Sequence, residues 1–441
     1  MRQLILLFLV IPFATSAQKN YTASLDKYMN AQVSINEFSG NVLIAQKGKI
    51  IFEKAFGMAD REWNISNTIN SKFQIGSITK QFTAACVLNL VEQRKLSLDD
   101  KLSKYFPNFP KADSVTIHML LTHTSGIKNY TEVPEFWKVA TVPLEKDSMV
   151  ALIANQPYEF SPDSKWNYSN SGYFLLGYII EKVSGQTYSD YVLNSIIKKA
   201  GMENTFVNRW DTILKYRAKG YQKETTGWQN AMFISMEAPY SAGAIISTVG
   251  DLYKWNNALF SNKIISTASL TKMITPYMNH YGYGLGIDTF QHHLRIGHSG
   301  GIPGFLTYLG RFPKDSIVVV VLSNNSSNSP AIAAALAGIL LDVPVVAPYK
   351  HKEVKIDSVI LNQYIGKYVI GSSDTLEVIK KDGKLFRHKP DSDIELKPES
   401  NTKFFYADES DKQIEFKLDK SGKIVNTFFI SGGIKEKMKR L

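Results

Sequence analysis

Ser77 and Lys80 are the residues of this sequence best placed for nucleophilic chemistry. They stand three positions apart at the end of the stretch Phe73 to Lys80, where an extended run reaches Gly76 and leads into a strongly apolar helix. Helix positions three apart share a face, so the lysine amine can take the serine proton. A hydroxyl in the first turn also lies near free backbone N–H groups that can hold an oxyanion. We predict Ser77 as nucleophile and Lys80 as its base, kept neutral by burial.

The spacing of serine and lysine is not specific by itself. It occurs seven times, starting at Ser16, Ser24, Ser77, Ser125, Ser195, Ser269 and Ser400. Only Ser77 both follows a strand-like segment and opens a long apolar helix. The other six are interpreted as coincidences on helix surfaces or in loops.

Two further segments carry side chains that fit this chemistry. Tyr168 precedes an apolar helix, and its phenol, with an ordinary pKa of about 10, becomes a base only beside a cation such as Lys80. The alternative for Tyr168 is a hydrogen-bonded core tyrosine. His298 begins a His-Ser-Gly-Gly run between two predicted strands. Small residues there would let a substrate lie along a strand edge, with the Gly301 N–H turned into the site.

The same run offers a rival nucleophile, Ser299. Gly297 to Gly301 matches the Gly-x-Ser-x-Gly elbow, which needs a strand, a sharp turn and a helix, and then an acid and a histidine in chain order. Here Pro303 and another strand-like run follow, and the next histidine is His351. The elbow is therefore disfavoured.

No metal or cofactor is expected. His292, His293 and His298 lack an accompanying ligand pattern that includes a carboxylate, and histidines without one are more often surface or core residues than ligands. The single cysteine, Cys86, is interpreted as a small core residue of the predicted helix.

The elements around these residues predict an α+β fold. Strands at both ends of a mostly helical insertion favour one antiparallel sheet flanked by helices, with the strand edges and the Ser77 helix meeting in a cleft. The predicted helices cover about residues 19–35, 77–94, 172–183, 252–260 and 330–341, and the predicted strands cover residues 40–45, 49–56, 293–297, 305–312 and 316–322.

A change of character after Pro344 and Pro348 predicts a second domain. Hairpin-like segments follow, which favour a small all-β barrel or half-barrel. Its predicted strands cover residues 375–380, 384–388, 394–397, 403–407, 413–418 and 423–430. We divide the chain into a signal segment at 1–17, a main domain at 18–345 and a β domain at 346–441.

The N-terminus and composition indicate an exported globular protein. Arg2, the apolar run from Leu4 to Phe13 and the small residues up to Ala17 read as a secretory signal too short to span a bilayer. We therefore expect a periplasmic or secreted protein with no integral membrane span. The charge of +11 over 441 residues is spread out rather than gathered in a stripe, which argues against nucleic-acid binding.

Taken in order, three motifs resemble those of serine penicillin-recognising enzymes. The motifs are Ser77 to Lys80, Tyr168 to Asn170 and His298 to Gly300. They are similar to the branch that contains class C β-lactamases, DD-carboxypeptidases, D-aminopeptidases and family VIII esterases. Further stretches typical of this family are Leu120 to Gly126, Ser241 to Gly243, Ser247 to Leu252 and Gly282 to Gly286. The resemblance covers about residues 20–345.

The resemblance implies a role for each motif. Ser77 would be acylated, and Lys80 and Tyr168 would share the proton transfers. Asn170, His298 and Gly300 would bind substrate, and the N–H groups of Ser77 and Gly301 would form the oxyanion hole.

One departure from the family pattern bears on the substrate. His298 stands where most β-lactamases carry lysine, and an unperturbed histidine is mostly neutral at pH 7.5. We therefore expect a serine hydrolase acting on a D-amino-acid-containing peptide, including peptidoglycan fragments, or on a small acyl ester. The alternatives are a β-lactamase and a non-catalytic envelope protein that keeps the fold. The identity of the substrate depends on loops around residues 127–160 and 205–240.

Overall fold

The computed structural model of the protein describes residues 21–209, 211–371, 374–408 and 410–441. The predicted signal segment, residues 1–17, lies outside them. The α-helices are α1 (Thr22–Asn36), α2 (Thr79–Glu92), α3 (Ile117–Thr122), α4 (Pro134–Val139), α5 (Lys146–Ala154), α6 (Asn170–Ser184), α7 (Tyr188–Val192), α8 (Lys198–Ala200), α9 (Tyr240–Gly243), α10 (Val249–Phe260), α11 (Thr267–Met273) and α12 (Ser329–Leu340). Short 3-10 turns cover Gly76–Ile78, Leu102–Lys104, Ala112–Ser114, Tyr130–Glu132 and Ile360–Tyr364, and a π-helical turn covers Leu193–Ile197.

The strands form one large sheet, a barrel and three small sheets. They are β1 (Gly40–Gln46), β2 (Lys49–Phe56), β3 (Met58–Asp60), β4 (Ile65–Ser66), β5 (Phe73–Gln74), β6 (Phe206–Val207), β7 (Tyr221–Glu224), β8 (Gly227–Asn230), β9 (Ile245–Ser247), β10 (Gly286–Phe290), β11 (His293–Ile302), β12 (Phe305–Phe312), β13 (Ile317–Ser323), β14 (Gly366–Ile370), β15 (Asp374–Lys381), β16 (Lys384–His388), β17 (Ile394–Ser400), β18 (Lys403–Tyr406), β19 (Gln413–Leu418), β20 (Ile424–Ser431) and β21 (Ile434–Arg440). The large sheet is antiparallel in the order β10-β11-β12-β13-β1-β2. The predicted α+β fold is confirmed.

Helices cover both faces of this sheet because its central strand is apolar on both sides. Every residue of β13 is buried, as expected of a strand without a solvated face. Val318 and Val320 pack into the core that contains α2. Val319 and Val321 point the other way, into the core formed with α1 and α12. Along the described residues, no helix combines the length and the apolar character needed to cross a membrane.

Helix α2 is the buried centre of the molecule. Its residues from Thr79 to Leu90 are all buried, as expected of a helix that is packed on every side. Phe82 stacks on Trp255 with ring centroids 4.2 Å apart. The helix that carries Lys80 is therefore held rigidly between the sheet and the helical insertion.

Strand β11 is longer than the sequence predicts. The His-Ser-Gly-Gly run that begins at His298 is predicted to lie between two strands, yet β11 continues from His293 through Ile302. Glycines and Ser299 lower the local strand propensity, but pairing with β12 across the whole run overrides it. Strand β10 pairs with β11 only as far as Gly297, so the edge beyond that residue is left to the cleft. With no turn and no helix at this place, the elbow geometry is absent.

The C-terminal strands β14 to β21 close into a barrel. The sequence predicted six of them and missed β14 and β21, the pair that closes the ring. Strand β21 is rich in lysine and buries only Ile434 and Met438, so its sequence lacks the apolar alternation expected of a strand. Ile434 at its start pairs with Val345 and packs into the core of α1 and α12. The barrel is thus attached to the face of the sheet opposite α2.

Candidate active site

The first turn of the central helix brings Ser77 and Lys80 together. The 3-10 turn at Gly76–Ile78 precedes α2, and the Lys80 Nζ lies 3.0 Å from the Ser77 Oγ. The lysine is fully buried, at 0% exposure. Burial holds the pKa of Lys80 well below its ordinary value, because a charge loses its hydration there.

Two fixed acceptors also surround the Lys80 amine. Its Nζ lies 2.8 Å from the Asn170 Oδ1 and 2.8 Å from the Ala242 carbonyl oxygen. A neutral amine has two N–H bonds and one lone pair. In the neutral form of Lys80, the two hydrogens satisfy these acceptors, which leaves the lone pair for the hydroxyl of Ser77. In that form the amine can accept the Ser77 proton.

Asn170 is itself held by the 3-10 turn Tyr130–Glu132 and by the residue that precedes it. Its Nδ2 donates to the Asn129 Oδ1 at 3.2 Å and to the Thr131 Oγ1 at 3.3 Å. The Asn129 Oδ1 also accepts the backbone N–H of Asn170 at 3.1 Å. Because the Asn170 Nδ2 is turned toward Asn129 and Thr131, the Asn170 amide oxygen faces Lys80 and accepts one of its N–H bonds. The side chain therefore orients the base in the free protein, in addition to the substrate contact implied by its motif.

Tyr168 places its phenol beside this pair. Its ring centroid lies 4.9 Å from the Lys80 Nζ. The Tyr168 hydroxyl is buried and makes no hydrogen bond among the described residues. Burial raises the pKa of Tyr168, and the nearby Ser77 side chain opposes part of the rise. Both shifts favour the neutral forms of Lys80 and Tyr168.

Close contact between two backbones brings the predicted oxyanion-hole residues Ser77 and Gly301 near each other. Gly76 has φ +52°, and a Cβ placed there would lie 2.8 Å from the Gly301 nitrogen. A Cβ on Gly300 would lie 1.9 Å from the Ile75 carbonyl oxygen. Only glycine permits both approaches. The turn at positions 303–304 closes the β11–β12 hairpin, and this register turns the Gly301 N–H away from β12, on the side where Ser77 begins its turn.

His298 lies in the cleft but both its ring nitrogens are engaged. The Nδ1–H donates to the Ser299 carbonyl at 2.5 Å, so the Nε2 accepts the Tyr281 hydroxyl at 2.9 Å. Burial lowers the pKa of His298 to about 4, and repulsion from Lys80 in its protonated form contributes to the shift. An unperturbed histidine has a pKa of about 6.5, so this environment moves the titration to lower pH. His298 is a neutral residue bonded to Tyr281.

The three motifs therefore converge in one cleft, in the arrangement that their resemblance implies. A family model described as Beta-lactamase matches residues 26–342, a span that includes every predicted site residue. The chain belongs to the beta-lactamase family.

Relatives of this beta-lactamase-family chain carry names from the same group. Penicillin-binding protein 4* of Bacillus subtilis (strain 168) is 30% identical over 399 residues, which cover 84% of this chain and 88% of that protein. The octameric penicillin-binding protein homologue from Pyrococcus abyssi has a TM-score of 0.66 at 27% identity, and the match covers 95% of this chain and 99% of that one. A D-stereospecific amidohydrolase from Streptomyces sp. has a TM-score of 0.61 at 26% identity and covers 69% of this chain and 94% of its own. Like them, the chain is a serine hydrolase.

Sequence reasoning missed three residues of this beta-lactamase-family site. Asn129, Ala242 and Tyr281 orient Asn170, Lys80 and His298 respectively. Ala242 acts through its carbonyl oxygen, which its side chain does not signal. Ala242 lies in a stretch noted only as family-like, Tyr281 adjoins another, and Asn129 follows a third by three residues. Within the described ranges, no three histidine, cysteine or carboxylate side chains gather as a metal site.

Proposed function

We propose that the chain is an acyl-enzyme-forming hydrolase of D-amino-acid-containing peptides, with small acyl esters as further substrates. The observation that carries this proposal is the buried Lys80 amine, whose Nζ lies 3.0 Å from the Ser77 Oγ and 2.8 Å from two fixed acceptors, so that in its neutral form a lone pair is left for Ser77. A base of this kind makes a serine hydroxyl nucleophilic without a histidine.

Acylation follows from the positions of these groups. Lys80 takes the Ser77 proton as the Ser77 Oγ attacks the substrate carbonyl carbon. The N–H groups of Ser77 and Gly301 hold the oxyanion, a contact that strengthens as charge develops. When the carbonyl re-forms, the bond to the leaving amine or alcohol breaks, and the neutral Tyr168 hydroxyl gives that group its proton. The Lys80 ammonium then returns its proton to Tyr168.

Deacylation uses the same groups in reverse. Water attacks the ester carbonyl and gives its proton through Tyr168 to Lys80. The bond to the Ser77 Oγ then breaks, and the Lys80 ammonium reprotonates that oxygen. The acid product leaves and the neutral pair is restored.

The substrate class is supported by what His298 lacks. A neutral ring whose nitrogens both have protein partners offers no cation to a substrate carboxylate. Penicillins carry such a carboxylate, so we propose slow acylation by them and little turnover. The names of the relatives, penicillin-binding proteins and a D-stereospecific amidohydrolase, support peptides with a D-residue.

A cavity beside the first motif supports an apolar group on the substrate. It has a volume of about 480 Å³ and includes Gln74, three residues before Ser77, and Pro303, two after Gly301. Its wall contains Met232, Phe233, Ile234, Met236 and Phe305. An apolar side chain would find partners there.

The test is labelling of purified protein with a fluorophosphonate and with fluorescent penicillin, followed by assays on D-residue peptides and their L-residue counterparts. We expect one fluorophosphonate adduct per chain, slow penicillin labelling and a preference for the D-peptides. A folded protein with neither adduct would contradict the proposal and favour a non-catalytic envelope protein. Fast release of the penicillin label would favour a β-lactamase.

The domain division and the export belong to this proposal. We propose residues 18–345 as the hydrolase domain and 346–441 as a β domain that supplies no catalytic group. Export to the periplasm or medium, suggested by residues 1–17, fits relatives named as penicillin-binding proteins. N-terminal sequencing of protein recovered from the medium and from cell fractions tests it.

A further inference from the structure

His123 contacts the backbone on both sides of Tyr168. It follows α3, has φ +62° and is 1% exposed. Its carbonyl oxygen accepts the Asn167 N–H at 3.1 Å, and its Nδ1 accepts the Ser169 N–H at 3.1 Å. One residue thus fixes the peptide groups before and after the tyrosine.

The His123 ring also packs on the Tyr168 ring. Their centroids lie 4.4 Å apart at an interplanar angle of 41°. The Tyr281 ring, whose hydroxyl bonds His298, lies 4.7 Å from the same imidazole. His123 therefore restricts both the backbone and the ring of Tyr168 while touching none of the reacting atoms.

The tautomer of His123 shows which ring nitrogen accepts the Ser169 N–H and which carries the hydrogen. Because the Nδ1 accepts a hydrogen bond, the hydrogen of the neutral ring is on the Nε2. That Nε2 is buried with no hydrogen-bond partner among the described residues. Burial and the charge of Lys80 hold the pKa of His123 well below its usual range. A purely packing ring such as phenylalanine would avoid the unpaired donor, but it could not accept the Ser169 N–H.

We propose that His123 is a positioning residue for Tyr168, holding its hydroxyl in place for proton transfer between Ser77, Lys80 and the leaving group. The inference rests on the proposed function, because it needs Tyr168 to act in acylation. Misplacing a proton-transfer group by about 1 Å can cost up to ~100-fold in rate.

Two substitutions separate the acceptor from the ring. His123→Phe keeps an aromatic ring against Tyr168 and removes the acceptor. His123→Asn loses the ring, but its Oδ1 can take the place of the Nδ1, and asparagine tolerates positive φ. We expect His123→Phe to lower kcat for a D-residue peptide, whose leaving amine takes its proton from Tyr168, by roughly 10- to 100-fold, with less effect on KM. His123→Asn should recover at least part of the lost rate.

The decisive measurement repeats His123→Phe in a Tyr168→Phe background. If His123 acts through Tyr168, its effect should shrink to less than about threefold there. Labelling at saturation, counted per folded chain by intact mass, should stay near one adduct and so separate slow chemistry from misfolding. An equal loss in both backgrounds, or an unchanged rate in the single variant, would overturn the inference while leaving the proposed function intact. A wild-type protein that is never labelled would overturn both.

Discussion

Two serines lie in elements that border one cleft, and only Ser77 has a lysine amine beside its oxygen. Ser77 begins α2, with the Lys80 amine 3.0 Å from its oxygen. Ser299 is exposed in the middle of β11, and its neighbour His298 is a neutral ring already bonded to Tyr281. Ser77 matches the Ser-x-x-Lys motif and Ser299 matches the Gly-x-Ser-x-Gly motif. The secondary structure around each serine decides which of them can act as a nucleophile.

The difference lies in what each element does to its neighbours. A helix start places a side chain three residues on over the same face and leaves backbone N–H groups free. A strand sends adjacent side chains to opposite faces, so His298 and Ser299 point apart. Burial favours the neutral forms of both Lys80 and His298, but the strand geometry turns His298 away from Ser299.

Replacing the nucleophile gives the largest expected effect. Ser77→Ala should abolish the fluorophosphonate adduct because no other serine faces a neutral base in this cleft. Ser299→Ala, the matched control, should label at the wild-type rate. Intact mass and peptide mapping check both. An adduct mapped to Ser299 would reverse the comparison and restore the elbow hypothesis.

Loss of either proton-transfer group should come next. Lys80→Ala and Tyr168→Phe should each lower kcat by at least ~100-fold, the lower end for general acid–base catalysis. The double variant should lose little more, since the two share one proton path. Effects that multiply would mean that Lys80 and Tyr168 act separately.

The same pair should set the pH dependence. Burial lowers the pKa of Lys80, so its base form is present well below pH 10.5, and the acylation rate should rise with pH as the ammonium loses its proton. Stopped-flow labelling from pH 5 to 9 measures this. A rate that falls over this range would mean that a protonated lysine is required.

The close contact between Gly76 and Gly301 offers a test of the proposed oxyanion hole. Gly76→Ala puts a Cβ 2.8 Å from the Gly301 nitrogen at φ +52°, so it should slow acylation by roughly 10- to 100-fold. The left-handed backbone should also cost about 1–2 kcal/mol of unfolding free energy. Gly301→Ala is the control, because its Cβ would meet only Leu306 at 3.6 Å. Denaturant unfolding and labelling rates measure the two costs, and equal effects from both variants would contradict the oxyanion geometry.

A change of charge on the strand side should have a smaller effect. His298→Lys should favour a carboxylate-bearing substrate over its methyl ester by about fivefold, near the ~1 kcal/mol of a solvent-reachable ion pair. Since the pKa of His298 is about 4, the wild type should show no separate break between pH 6 and 7. Paired kcat/KM values for acid and ester check the preference. An unchanged ratio would mean that this position does not set specificity.

Removing the barrel should affect labelling least. A chain that ends at residue 345 should still label at Ser77, since none of the described barrel residues makes a hydrogen bond or a ring contact with Ser77, Lys80 or Tyr168. It should unfold at a lower temperature because it loses the packing of Ile434 on α1 and α12. Ile434→Ala in the full chain is the milder control. A truncation that is folded but cannot be labelled would mean that the barrel completes the site.

The sequence by itself determined the parts of the site that are local. Ser77 and Lys80 belong to one helix, whose start is marked by Gly76 and whose apolar run predicts burial. Periodicity also predicted β1, β2, β12, β13 and the helix after Tyr168, within a few residues, because each has a strong pattern of its own. It missed β10 and the second half of β11. The lowered pKa of Lys80 followed from the same burial argument.

Tertiary structure decided everything that depends on contacts between distant segments. The extension of β11 through its glycines came from pairing with β12, which local propensity opposes. The closing strands of the barrel, β14 and β21, form because they pair with each other. The lowered pKa of His298 results from its burial beside Lys80. Asn129, His123 and the Ala242 carbonyl act through hydrogen bonds across more than 40 residues of chain. Such bonds depend on where the fold places a backbone group, and no residue type in the sequence carries that information.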